Sequence, residues 1–287
     1  MAVSPSAHYF KFFRRFEMSI FRPYAVVAMC IFAMGCTVPG STAFQDYRQS
    51  YDAARDASVQ VVDAYNQYDK MSRKRRTDPA TFDPDFADVY SPNALSPISL
   101  TITEGFAAAT TFNEVLARYA DNNTLSLQRD EIERLNAASA NTATLIAGQG
   151  AGVQVRAVIG AVQVLANLSL ARADRDEFVR GIRENAAAVD TFLGIMRDDT
   201  ADMYQTARLA TALSGGSAEK LETFREMLAT WVLMIDQTRK DLEILRLRAE
   251  AGGTGQSGLS LLAESAENID RHVTEIEAAY RALVGVF

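Results

Sequence analysis

From Ile98 to Phe287 the chain contains no proline, and that absence governs what this stretch can become. A proline inside an α-helix removes a backbone hydrogen bond and clashes with the preceding turn, so a chain without one is free to build long helices. Clustered glycines mark the breaks instead: Gly148, Gly150 and Gly152, then Gly215 and Gly216, then Gly252, Gly253, Gly255 and Gly258. Between them apolar residues recur at spacings of three and four. Leu221, Phe224, Leu228, Trp231, Ile235, Thr238, Leu242, Leu245 and Ala249 form one such series, in which only Thr238 is polar. Leu259, Leu262, Ala266, Ile269, Val273, Ile276, Tyr280, Leu283 and Phe287 form a second. Phe178, Ile182, Val189, Phe192, Met196, Met203, Ala207 and Ala210 form a less regular third. This spacing places each series on one stripe of a helix, suited to coiled-coil-like packing against its neighbours.

The same period recurs upstream. Phe44, Tyr47, Tyr51, Ala54, Ser58, Val61, Tyr65 and Tyr68 predict an N-terminal helix over 44–70. The stripe reads first as a packed face and second as a ligand-stacking one; because tyrosine is amphipathic, the helix could lie on the bundle surface with its hydroxyls near water. Pro79, Pro84, Pro92 and Pro97, together with Asp78, Asp83, Asp85 and Asp88, mark 71–98 as a loop wrapping the bundle. Two further helices are expected at 102–120 and 126–147. The first opens on a capping-box pattern, Thr101-Ile102-Thr103-Glu104, and Thr124 or Ser126 can cap the second. The segment 151–171 is strongly apolar, with Arg156 as its only charge, and reads as a buried central helix. The expectation is therefore an all-α, elongated antiparallel bundle of six or seven helices. Its longest members are 173–213, 217–251 and 257–286, within a bundle domain covering 99–287.

The N-terminus has a different character. Arg14, Arg15 and Arg22 flank the start of an apolar run, Tyr24 to Gly35, that ends in Ala33-Met34-Gly35-Cys36. A positive region followed by a short apolar one is the pattern of an export signal. The run is too short to cross a bilayer as a helix, which takes roughly 20 residues. Its last four residues resemble the bacterial lipobox, with Ala33 standing where Leu, Val or Ile is commonest. The resemblance implies a signal peptide over 1–35, cleaved between Gly35 and Cys36, with a diacylglyceryl group on the Cys36 sulfur and an acylated new amino terminus. Residues 36–43 then form a lipid-anchored tether, and Met18 is an alternative start. Several acyl chains on one residue suffice for stable anchoring. Thr37 stands where Asp favours inner-membrane retention, so the resemblance points to the outer membrane, facing the periplasm.

Charge and composition narrow the chemistry. Net charge is −7. Lys11, Arg14, Arg15, Arg22 and Glu17 precede Cys36, so the remainder keeps 25 of the 29 basic and 35 of the 36 acidic residues, near −10. Nucleic-acid binding needs a cationic surface and is not expected. The two cysteines, Cys30 and Cys36, both lie in the first 36 residues, which excludes a disulfide framework and a thiolate metal site in the mature part. The mature part has one histidine, His272, near Asp270 and Glu275. Gly148-Gln149-Gly150-Ala151-Gly152 lacks the Lys-Ser/Thr of a phosphate loop and reads as a corner between helices. No catalytic residue, metal site or cofactor is expected beyond the lipid on Cys36.

One basic cluster stands out: Lys70, Arg73, Lys74, Arg75 and Arg76. It could contact anionic lipid headgroups or another acidic envelope surface. Equally, it could be a solvated helix end, with cations near the C-terminal dipole and the nearby aspartates as partners. The leading functional reading is a membrane-anchored envelope lipoprotein, a non-enzymatic scaffold or accessory subunit that offers helical surfaces to another envelope protein or to itself. The alternative is a periplasmic binding protein with an apolar cavity lined by Tyr47, Tyr51, Phe106 or Trp231. A third reading, a carboxylate-dependent hydrolase, requires a cleft with two facing acids of perturbed pKa.

Overall fold

The structure is a computed structural model that describes residues 41–78, 80–91, 93–120, 160, 175–251 and 257–284. The expectations for the leader, for Gly35 and Cys36, for the helix at 126–147 and the corner at 148–152, and for nearly all of 151–171 lie outside those residues.

Within them the chain is all-α. Helix α1 runs Ser41–Lys74, and a 3-10 turn at Pro84–Phe86 leads into the short α2, Ala87–Tyr90. Then come α3 (Pro97–Ala120), α4 (Arg175–Ser214), α5 (Ala218–Glu250) and α6 (Ser257–Val284). The three long C-terminal helices match the proline-free, periodic stretches. The α4–α5 corner follows from local chemistry. Gly215 takes a positive φ of 67°, and the Gly216 N–H bonds back to Thr211 O at 3.0 Å, closing α4 with a Schellman turn. The Ser217 hydroxyl then accepts the Glu219 N–H and caps α5.

Helix α3 corrects the capping-box expectation. It starts four residues before Thr101, at Pro97, and its cap is Ser96, whose hydroxyl accepts the Ser99 N–H at 3.2 Å. Ser followed by Pro is a strong start signal, because proline at the first helical position loses no hydrogen bond and brings a pre-set φ. Thr101 instead sits inside the helix and donates to Pro97 O.

The stripe of α1 is a packed face, and its tyrosine hydroxyls do not lie near water. Every residue of its periodic series is buried, including Tyr47, Tyr51, Tyr65 and Tyr68. Ala43, Ala57, Val62 and Ala64 bury a second face. Helix α1 packs against α3, α4, α5 and α6, which follow one another around it, each also touching the next. Its open side carries the exposed Gln45, Gln49, Asp56 and Val59. The helix and the bundle are thus one compact unit rather than a separate segment and a domain.

Cross-links give the directions. Trp231 Nε1 on α5 donates to Ser58 Oγ at 2.7 Å, and the Tyr68 hydroxyl donates to Lys220 O, so α1 and α5 run antiparallel. The Tyr51 hydroxyl donates to Phe106 O, while Tyr47 lies beside Asn113, so α1 and α3 are antiparallel as well. Helices α4 and α5 are bolted antiparallel by Arg239 to Asp190 at 2.8 Å and Arg197 to Asp236 at 3.0 Å. The Tyr280 hydroxyl on α6 donates to Asp63 at 2.6 Å. Where α3 crosses α4, the Phe192 ring lies on Gly105 and meets Phe106 edge-on at 5.8 Å. Each fully buried Phe, Leu or Ile contributes roughly 1.5–3 kcal/mol of transfer free energy, so this continuous core is what holds the described helices, which contain no cysteine.

Candidate functional site

Two places concentrate polar chemistry, one inside the bundle and one at the end of α1. The inner one centres on Asp241, a fully buried carboxyl on α5. It occupies the stripe of Met227 and Met234, each a heptad apart, so packing forces an acid into an apolar register. The groups hydrogen-bonded to it are neutral. Ser265 on α6 donates to Oδ2 at 2.6 Å, Gln237 reaches Oδ1 at 3.4 Å and Ser265 Oγ at 2.7 Å, and Ser50 on α1 lies close by without completing a hydrogen bond. Burial outweighs these hydrogen bonds and pushes the Asp241 pKa up to about 6. The junction therefore ties α5 to α6, with Ser50 of α1 beside it.

Near it, Tyr47 Oη and both polar atoms of the Asn113 side chain are buried without a completed hydrogen bond. Burial, reinforced by Tyr51 and Asp241, raises the Tyr47 phenol well above its usual range. Of the residues offered as a cavity lining, Tyr47, Tyr51 and Phe106 neighbour one another ring to ring. Tyr51 stacks 6.3 Å from Phe106 and bonds its carbonyl, while Trp231 is engaged with Ser58, two turns further along α1.

At the C-terminal end of α1 the basic cluster divides into two groups. Arg73 forks onto Asp88 at 2.6 and 3.1 Å and lies 5.8 Å over the Phe86 ring. Lys70 donates to Ser91 O at 2.7 Å, and Lys74 stands 5.5 Å over the Tyr90 ring. These three cations pin the proline-rich segment back against α1. Hydrogen bonds from the Asn66 side chain to Ala94 O and from the Ser96 N–H to Asn66 Oδ1 do the same. Arg75 and Arg76 stay exposed. The Arg73 guanidinium holds the Asp88 carboxyl below its usual range. Part of the cluster is thus spent on structure, as the aspartates nearby suggest it would be.

What the sequence reading missed here are Phe82, Phe86 and Tyr90, all exposed, Phe82 by 71%. Their spacing of four was visible, but proline-rich surroundings gave no reason to place them on one face. The Phe82 and Tyr90 rings lie 6.4 Å apart. Asp241 was missed for the opposite reason: acids were counted as solvated, although its heptad relation to Met227 and Met234 was legible. His272 pairs through Nδ1 with Glu275 at 3.3 Å, one turn along α6. Among the described residues no group of three or more His, Cys, Asp or Glu is placed to hold a metal ion. Nor is any described helix long and apolar enough to cross a membrane. No family model matches the chain, no curated protein matches it, and no solved structure matches it.

Proposed function

We propose that the chain is a lipid-anchored envelope protein that works as a non-enzymatic scaffold or accessory subunit, presenting helical surfaces on the periplasmic side of the outer membrane. One observation carries the reading: the long helices turn their reactive and aromatic groups inward to tie one another, while apolar side chains stand outside. Leu209 and Leu213 lie one turn apart on α4, and Leu233 and Leu247 lie two heptads apart on α5, all at least 40% exposed. Exposed apolar side chains that share a face suit association better than catalysis. Asp241 does not favour the hydrolase reading, since the groups bonded to it are neutral.

The test has two arms. The mass of the N-terminal peptide reads the anchor, which is expected as a triacylated Cys36; an unmodified thiol with the leader attached removes that part of the reading. Crosslinking in intact membranes reads the surfaces. Leu233→Lys with Leu247→Lys should abolish the crosslinked adduct, whether to another protein or to a second copy, while leaving helicity unchanged. An adduct that survives these changes rules this face out.

A second reading, a small polar ligand held inside the bundle, is favoured only by the unpaired Tyr47 and Asn113 groups. It predicts that Tyr47→Phe with Asn113→Leu abolishes binding of that ligand without loss of fold.

A further inference from the structure

We propose that the end of α1 and the segment folded onto it form a docking site for an anionic lipid surface. The chemistry of such a surface is a layer of phosphates over hydrocarbon, and it is met by cations beside apolar side chains that can enter the interface. This place carries both. Phe82, Phe86 and Tyr90 are exposed by 71, 37 and 47%. They are held in place rather than hanging free: Phe82 packs on Tyr90, Tyr90 on Lys74, Phe86 on Arg73, and the Tyr90 hydroxyl lies 3.0 Å from that of Thr77. Beside them Lys74, Arg75 and Arg76 are exposed.

Acids share the patch with these cations. Asp88 is paired with Arg73 through its fork, while the Asp78 carboxylate accepts the Ala80 N–H at 2.9 Å and keeps its charge. Asp83 is exposed at the edge of the patch. Three aromatic rings fixed in one neighbourhood, next to three exposed cations, match a lipid headgroup layer better than a solvated helix end, which needs no aromatic residues. The choice of a bilayer as occupant rests on the membrane-anchored reading above. The patch lies on the order of 50 Å along α1 from Ser41, at 1.5 Å per residue, so contact here would be a second point of attachment.

The experiment uses the full chain and its sole tryptophan. Trp231 is fully buried, so lipid-borne quenchers leave its emission unchanged and a second tryptophan reports its own surroundings. Phe82→Trp is expected to be quenched by brominated lipid in vesicles of phosphatidylglycerol mixed with phosphatidylcholine. Quenching should be much weaker in phosphatidylcholine alone. Leu233→Trp on α5 should remain unquenched in both. Reversing Arg75 and Arg76 to Glu in the Phe82→Trp chain should weaken partitioning at least about tenfold, with unchanged circular dichroism.

Quenching of Phe82→Trp that equals that of Leu233→Trp, or that is indifferent to lipid charge, overturns the proposal. So does protection of the new tryptophan in native membranes but not in pure lipid, which identifies a protein partner instead. The anchor is read separately, from the mass of the peptide carrying Cys36, so failure of one does not masquerade as failure of the other.

Discussion

At the scale of single residues, Asp241 is the described acid whose burial works most strongly against the fold at neutral pH. Burial pushes the Asp241 carboxyl up to about 6 in the fold, against 3.8 for an ordinary aspartate. Because the folded value is the higher, ionisation above pH 6 costs stability, on the order of 3 kcal/mol. That cost is relieved as pH falls through 6 and is gone near 4. Asp46, Asp69, Asp199 and Glu104, also raised by burial, act in the same direction, and Asp88 and Glu243, lowered by Arg73 and Arg246, act against it. Urea unfolding should therefore show a higher midpoint at pH 5 than at pH 8. Asp241→Asn should stabilise the chain by about 1–3 kcal/mol at pH 8 and by little at pH 4. A wild-type midpoint that falls between pH 8 and pH 5 would contradict this account. Ser58 makes the complementary point, since it is the acceptor for the buried Trp231 N–H. Ser58→Ala leaves that donor unpaired and should cost about 1–3 kcal/mol, read from the same denaturation curves.

At the scale of elements, the close crossing of α3 and α4 depends on a missing side chain. A Cβ at Gly105 would fall 2.0 Å from the Phe192 ring, which is itself buried against Phe106. Helix propensity alone says Gly105→Ala should stabilise α3 by about 1 kcal/mol. Overpacking should reverse that sign, for a net loss of about 1–3 kcal/mol in thermal melts. The loss should shrink when Phe192 is also replaced by Leu. The proline-rich segment depends on Asn66, whose amide donates to Ala94 O and accepts from the Ser96 N–H. Asn66→Leu should release it and speed proteolytic nicking between residues 78 and 95, while Trp231 emission stays native. The corner between α4 and α5 was legible because a glycine pair and periodic apolar stripes are local signals. The start of α3 was legible too, in Ser96-Pro97, but the later Thr101–Glu104 pattern competed with it. The tie from Asn66 was not legible, because nothing local links residues 28 and 30 positions apart.

At the scale of the whole molecule, α1 is the hub on which α3, α4, α5 and α6 assemble. The unfolding of this unit should be a single transition, with Trp231 fluorescence and far-UV circular dichroism coinciding. A fluorescence transition that precedes the loss of helicity would show instead that α1 leaves the bundle on its own. The same arrangement explains the cross-bolts between α4 and α5: long antiparallel helices could slide by a turn, and Asp190–Arg239 with Asp236–Arg197 favours one register. Their contribution to stability is small, because the pairs are partly exposed.

The amino-acid sequence by itself determined that the described stretch of chain is helical, where α4 gives way to α5, and which stripe of each long helix is apolar. Those properties follow from proline, glycine and a period of 3.6, all of which act within a few residues. Only the tertiary structure decided that α1 is the centre and not a surface attachment. A tyrosine stripe is compatible with either place, and burial of its hydroxyls depends on acceptors such as Phe106 O and Lys220 O, far away in sequence. It likewise decided that Asp241 is enclosed and that Phe82, Phe86 and Tyr90 stand beside exposed cations. The reason is the same in each case: what a side chain costs or contributes is set by which other helices come to lie against it.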